Sequence, residues 1–215
     1  MANLGFQLLG FTLALFGWLG VIASTAMPEW KRSAYGSGSI ITAISIYEGL
    51  WMSCASQSTG QIQCKVYDSL LNLDGSLQAA RALMVVSALL CFIGICVAIV
   101  GMKCTRMMSD NEVTKGRVAI IGGVVLIVGG LACLIAVSFY THRIIQAFYD
   151  LYTPVQARYE IGSAVFVGFA GSCLVLLGGS FLCCSCTSKP QSSKPPRSRP
   201  VTQPNSGPRS NREFV

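Results

Sequence analysis

Charge is what this sequence has least of. Asp, Glu, Lys and Arg make up 12 % of its 215 residues, against about 25 % in a water-soluble domain. The shortage is uneven. No charged residue interrupts Gly5 to Met27, Ala82 to Met102, Val118 to Tyr140 or Ile161 to Cys186. A helix needs about 20 residues to cross roughly 30 Å of hydrocarbon, and each run reaches that length. A span in lipid must satisfy its own backbone, so all four are expected as helices. A soluble bundle of four buried helices is the weaker reading.

Histidine is nearly absent as well. The one histidine, His142, has no partners for catalysis or metal binding and reads as a surface side chain. No phosphate-cradling glycine loop is present. The pairs Gly122-Gly123, Gly129-Gly130 and Gly178-Gly179 fall inside the apolar runs, where small residues let helices approach closely. Enzyme activity and a cofactor are therefore not expected. The lack of an Asn-x-Ser/Thr sequon and the small second loop give no support to a receptor for a secreted ligand.

The first run has no Lys or Arg ahead of it. Its length of about 22 apolar residues exceeds the usual 7–15 of a signal core. Ser24-Thr25-Ala26 offers small residues for cleavage, but an uncleaved span is expected.

The few charges set the orientation. Between runs one and two, Lys31, Arg32, Lys65 and Arg81 balance Glu29, Glu48, Asp68 and Asp74. Between runs three and four, Arg143 and Arg158 balance Asp150 and Glu160. The net charge of +7 therefore sits in the short loop 103–117 and the tail. Basic loops stay in the cytosol, so both termini are expected inside and both neutral loops outside. The basic excess needs no nucleic acid as partner; a tail contact with anionic membrane lipid remains open.

Of ten cysteines, only Cys54 and Cys64 fall in the segments expected outside. An oxidising compartment and a single possible intramolecular pairing predict a disulfide, worth about 2.5–3 kcal/mol in the chain-entropy model. Metal ligation is the alternative and lacks a nearby histidine. Around the pair, Ile40–Tyr47 is rich in β-branched residues, and Gly49–Ala55 continues it after a break. Ser56–Gly60 reads as a turn, and Gln61–Tyr67 alternates polar and apolar. Trp30–Tyr35 offers a further strand, and Leu70–Leu83 a short helix entering span two. Trp30, Leu50 and Trp51 supply apolar bulk, read first as packing at the membrane surface.

These residues carry a resemblance. Trp30, Gly49-Leu50-Trp51, Cys54, Cys64 and Arg81 resemble the first-loop signature of the claudins. MANLGFQLLGF, QSTGQIQCKVYDSLL, RALMVV, GMKCTR, KGRVAI, TPVQARYEIG and GGSFLCC are similar to claudin segments in the same order, over residues 1 to about 186. Tyr35-Gly36-Ser37-Gly38-Ser39 departs from the Tyr-Ala-Gly-Asp stretch of many members, which leaves the charge and shape of the early strand open. The resemblance implies a left-handed four-helix bundle carrying a small extracellular antiparallel sheet. It implies no enzyme. It implies a plasma-membrane protein of tight junctions that polymerises with other claudins in cis, meets those of the adjoining cell in trans, and forms a paracellular barrier or charge-selective pore. A four-span accessory subunit or myelin-type protein of the wider superfamily is the alternative.

Within that pattern, Lys65 is expected to face the pore and repel cations, with Asp68 offsetting part of its charge; a solvated strand residue is the competing reading. Leu70 and Leu71 are expected to dock against Phe148 and Tyr149 of a neighbour, or else to be buried within one protomer. Asp150, with the turn at Thr153-Pro154, is expected to face the opposite cell. Arg81, charged at a span's edge, is expected to snorkel or to pair with an acidic loop residue.

On the inner side, Cys104, Cys183, Cys184 and Cys186 sit where spans meet cytosol and are candidates for S-palmitoylation, or are free thiols. Cys91, Cys96, Cys133 and Cys173 read as small apolar packing residues. The Ser-, Pro- and Arg-rich tail is expected to be disordered. Glu213-Phe214-Val215 suits the groove of a PDZ scaffold, which takes an extended peptide as an added strand. The expected organisation is a cytosolic N-terminus at 1–4, spans at 5–27, 82–102, 118–140 and 161–186, outer loops at 28–81 and 141–160, a cytosolic loop at 103–117 and a tail at 187–215.

Overall fold

The computed structural model describes residues 4–33, 45–57, 59–68, 74–102, 112–150 and 159–186. Four helices carry the apolar runs: α1 (Leu4–Ala26), α2 (Gly75–Gly101), α3 (Glu112–Tyr149) and α4 (Ser163–Cys186). All four are long and apolar enough to cross a membrane. Their outward faces keep large apolar side chains uncovered, such as Phe16, Leu89, Ile135 and Phe166. That is the pattern for helices solvated by lipid, where apolar exposure carries no penalty.

The bundle is held by close backbone approach. α1 packs on α4, α2 on α3 and α3 on α4. A Cβ on Gly178 would stand 2.6 Å from the Ala14 nitrogen, and one on Gly122 2.9 Å from that of Ala98. The paired glycines thus bring the helices together, as their placement in the runs predicts. Between α2 and α3, the Ser87 hydroxyl donates to the Gly129 carbonyl at 2.8 Å. Cys91 and Cys133 are buried, whereas Cys96 and Cys173 face outward.

Five short strands form one antiparallel sheet in the order β4-β3-β2-β1-β5. They are β1 (Lys31–Ser33), β2 (Ser45–Glu48), β3 (Met52–Ser56), β4 (Ile62–Val66) and β5 (Tyr159–Ile161). β2 and β3 fall in part on the stretches expected as strands: β2 takes in Glu48, expected as a break, Gly49-Leu50-Trp51, expected as strand, is the connection between them, and residues 40–44 lie outside the described residues. The β3–β4 hairpin closes with Gly60 at φ 79°, a left-handed conformation that favours glycine.

β5 has no counterpart in the sequence reading, because three residues show no measurable alternation. Its Lys31↔Ile161 and Arg32↔Glu160 pairing adds the second loop to the first loop's sheet. α3 also runs to Tyr149, nine residues past the apolar run that ends at Tyr140. A helix ends where its backbone bonds end, and the span it contains ends where hydrocarbon does. α2 begins at Gly75, within the segment expected as a short helix.

Candidate functional site

The sheet is anchored to the bundle by the residues between α1 and β1. Trp30 is fully buried. Its indole N–H donates to the Ser24 carbonyl at 2.8 Å, and its ring meets Tyr140 of α3 edge-on at 5.3 Å. Backbone bonds then stitch both loops together: Trp30 N to Glu48 O at 3.0 Å, Gly162 N to Trp30 O at 3.0 Å, and Ala164 N to Glu29 O at 3.1 Å. Ser163 seals the same corner by donating to the Glu29 carboxylate at 2.6 Å.

Gly49 and Leu50 have distinct tasks. A Cβ on Gly49 would lie 2.5 Å from the Pro28 Cα, so only glycine lets this connection rest on the chain leaving α1. Leu50 is fully buried below it. Trp51 is 40 % exposed, and its indole N–H donates to the Thr25 carbonyl at 2.9 Å. The packing role expected for all three bulky residues holds for Trp30 and Leu50, and Trp51 takes a boundary position.

Arg81 differs from expectation in its partner. It is buried, at 7 % exposure. Its Nε donates to the Leu50 carbonyl, and its guanidinium carbon lies 5.3 Å from the ring centroids of both Trp51 and Tyr67. It neither reaches outward nor pairs with a carboxylate among the described residues. Two electron-rich rings and a carbonyl take the place of a counter-ion. Its Nη2 is the one buried side-chain nitrogen or oxygen without a hydrogen-bond partner among the described residues. The sequence signal for this cage was Trp51 and Tyr67 flanking the cysteine pair; the Leu50 carbonyl left none.

Cys54 and Cys64 are joined by a disulfide across directly paired positions of β3 and β4. Cys54 is buried and Cys64 exposed. β4 is exposed along its whole length, with Ile62 and Val66 each about two-thirds accessible. Lys65 on β4 is ion-paired with Asp68 at 2.6 Å, both side chains being about three-quarters exposed. The hydrogen bond it donates to Asp68, then the Asp68 charge, hold the Lys65 ammonium above its ordinary pKa.

A second network crosses the sheet. Glu48 on β2 pairs with Lys31 on β1 at 2.6 Å and accepts a hydrogen bond from the Tyr159 hydroxyl of β5 at 3.0 Å. Lys31 also sits 4.5 Å over the Tyr159 ring. Burial first, then the Glu48 carboxylate, push the Tyr159 phenol up to about 12. Sequence reasoning passed over this trio, since Glu48 and Tyr159 are 111 residues apart.

Phe148 and Tyr149 meet edge to face at 5.6 Å at the C-terminal end of α3, and Tyr149 is 76 % exposed. With Ile144, Ile145 and Ile161 they line an open cavity of about 350 Å³. Asp150 follows, exposed. Leu70, Leu71, Thr153, Pro154, Cys104 and Glu213-Phe214-Val215 lie outside the described residues. Cys183 is partly buried, its thiol donating weakly to the Ile120 carbonyl at 3.8 Å. Cys184 is exposed, and Cys186 ends α4. His142 is exposed. No group of three metal-ligating side chains occurs among the described residues.

These features define a class: a four-span membrane protein whose two loops at one end of the bundle contribute strands to one disulfide-bridged sheet. Residues 4–182 match the PMP-22/EMP/MP20/Claudin family, and the chain belongs to it. Relatives similar over nearly the whole chain include claudins. It is 57 % identical to Claudin-19 of Homo sapiens over 210 residues, covering 95 % of this chain and 94 % of the relative. It is 57 % identical to Claudin-1 of Rattus norvegicus over 207 residues, covering 96 % and 98 %. Against Claudin-7 of Mus musculus the identity is 52 % over 217 residues, with both chains fully covered.

Proposed function

We propose that this chain is a tight-junction protein that polymerises side by side in the plasma membrane, adheres to its counterpart on the adjoining cell, and so forms a paracellular barrier or charge-selective pore. Near-full-length identity to claudins, running through both loops, carries this reading. In this view the sheet and the outer end of α3 lie outside the cell and both termini inside, in keeping with the basic 103–117 loop and tail.

The side-by-side contact uses the cavity beside Phe148 and Tyr149. An aromatic pair, Phe148 half-buried and Tyr149 exposed, beside an open hollow lined mainly by apolar side chains suits a leucine-sized side chain from a neighbour, and Leu70 or Leu71 is the knob. Asp150, Thr153 and Pro154 face the opposite cell. Lys65 and Asp68 line the ion path. A unit charge about 6 Å from an ion, at an effective dielectric of about 40, contributes about 1.4 kcal/mol, roughly tenfold in partition. Their mutual ion pair makes Asp68 the brake on Lys65, so the pair biases against cations less than Lys65 alone would. On the cytosolic side, Glu213-Phe214-Val215 binds a PDZ scaffold, and acylation of Cys104, Cys183, Cys184 or Cys186 adds membrane affinity. The role is one of assembly and sealing, not catalysis.

Expression in fibroblasts that lack junctions, viewed by freeze-fracture, tests the reading. Continuous branching strands at cell contacts are expected. Isolated particles without strands contradict polymerisation and favour the accessory or myelin-type alternative.

A further inference from the structure

Between β1, β2, β5 and the outer ends of α2 and α3 lies a cavity of about 420 Å³, a volume within the roughly 300–1,000 Å³ of small-ligand pockets. Ile144 and Tyr159 border both this cavity and the apolar one beside Phe148, but the two differ in chemistry. This one is walled by two acids, two bases and three tyrosines. Lys31 and Glu48 neutralise each other at 2.6 Å. Asp74, at the start of α2, and Arg143, on α3, remain. Neither forms an ion pair among the described residues. The Asp74 carboxylate accepts a hydrogen bond from Ser76, and Arg143 rests 5.5 Å over the Phe139 ring.

We propose that this cavity binds a phosphocholine group, its quaternary ammonium beside Asp74 and the half-buried Tyr67 ring and its phosphate on Arg143. The walls balance in charge, so a simple anion or cation gains little net attraction. A zwitterion that reaches both charges gains at each end. A quaternary ammonium donates no hydrogen bonds and is recognised by aromatic faces. Rings of this cavity already take cations in that way: Lys31 lies 4.5 Å over Tyr159, and Arg81 5.3 Å over Tyr67. Phosphate suits the planar donor fork of arginine.

The cavity's height points to a source. Tyr140 closes the third apolar run, and Arg143, Ile144 and Ala147 lie on the next turns of α3. That is the level of lipid headgroups, so a phosphatidylcholine headgroup and soluble phosphocholine share the required chemistry. The site rests on the sheet capping one end of the bundle, and not on which compartment that end faces.

The test is calorimetric titration of the full chain in maltoside detergent with phosphocholine, choline and inorganic phosphate. Phosphocholine is expected to saturate one site, choline to bind more weakly and phosphate not to bind. Asp74→Asn weakens both choline compounds about tenfold, whereas Arg143→Gln weakens phosphocholine about tenfold and leaves choline unchanged. An unaltered thermal midpoint shows each variant folded. A second arm separates the sources: native mass spectrometry from nanodiscs of equal phosphatidylcholine and phosphatidylglycerol. Retained phosphatidylcholine that Arg143→Gln releases assigns the site to the headgroup; binding of the soluble compound alone assigns it to free phosphocholine. No saturable phosphocholine binding by the folded chain, or equal affinity in both variants and the parent, overturns the proposal. Because the titration uses solubilised protein, it succeeds or fails independently of strand formation and of sidedness.

Discussion

Arg81 donates a hydrogen bond from its Nε to the carbonyl of Leu50, 31 residues earlier in the chain. This bond ties the second helix to the Gly49-Leu50-Trp51 turn while the Trp51 and Tyr67 rings flank the charge. Signature residues that stand far apart in sequence thus form one contact set.

Arg81→Ala is expected to destabilise the folded protein by about 1–3 kcal/mol, the cost of leaving a buried carbonyl without its donor. Arg81→Lys should recover only part, because an ammonium lacks the planar fork. Thermal unfolding in detergent measures both. A midpoint unchanged in the alanine variant would mean that the cage holds nothing.

Gly162→Ala should detach β5. The added Cβ would run into the Glu29 carbonyl oxygen, and relief requires the backbone bonds around Trp30 to open. Overpacking of this kind costs about 1–3 kcal/mol. Hydrogen exchange should rise at Tyr159–Ile161 and in β1 while the helices stay protected. Uniform loss of protection, or none, contradicts a local role.

These two cases show what the sequence makes legible. The four spans need only uninterrupted apolar length, and the disulfide needs only two cysteines in an oxidising compartment. Both are properties of residue type. The Arg81 cage depends on a backbone acceptor at Leu50, and every residue has a carbonyl, so no residue type marks that one. The pairing of β5 with β1 joins Tyr159–Ile161 to Lys31–Ser33, three residues against three, too short for any periodicity to show. Gly49 and Gly162 owe their identity to close approaches to Pro28 and Glu29, which exist only once the chain has folded back on itself.

Stability should fall at alkaline pH through Tyr159. Its folded pKa of about 12 lies above the ordinary 10.0. Below pH 10 both states hold the proton, and the contribution is complete. Between pH 10 and about 12 the unfolded chain loses the proton first, so rising pH draws the equilibrium toward unfolding. Tyr159→Phe should flatten that part of the stability profile. Equal slopes in parent and variant would remove Tyr159 as the cause.

The Lys65–Asp68 pair makes opposite predictions for its two members. Asp68→Asn frees the ammonium and should shift the dilution potential of an expressing monolayer toward anions. Lys65→Asp should shift it toward cations by roughly the tenfold partition expected of a nearby unit charge. Because both groups are exposed, the shifts should shrink as salt rises. Potentials that move in neither variant place the pair away from the ion path.

The central claim is that the sheet, with the second loop stitched into it, stands outside the cell while the tail stays within. The direct measurement is antibody staining of intact cells expressing a chain tagged at the 57–60 turn and, separately, at the C-terminus. The turn tag is predicted to stain before permeabilisation and the terminal tag only after it. The reverse order, or a turn tag hidden until the plasma membrane is opened, contradicts the account.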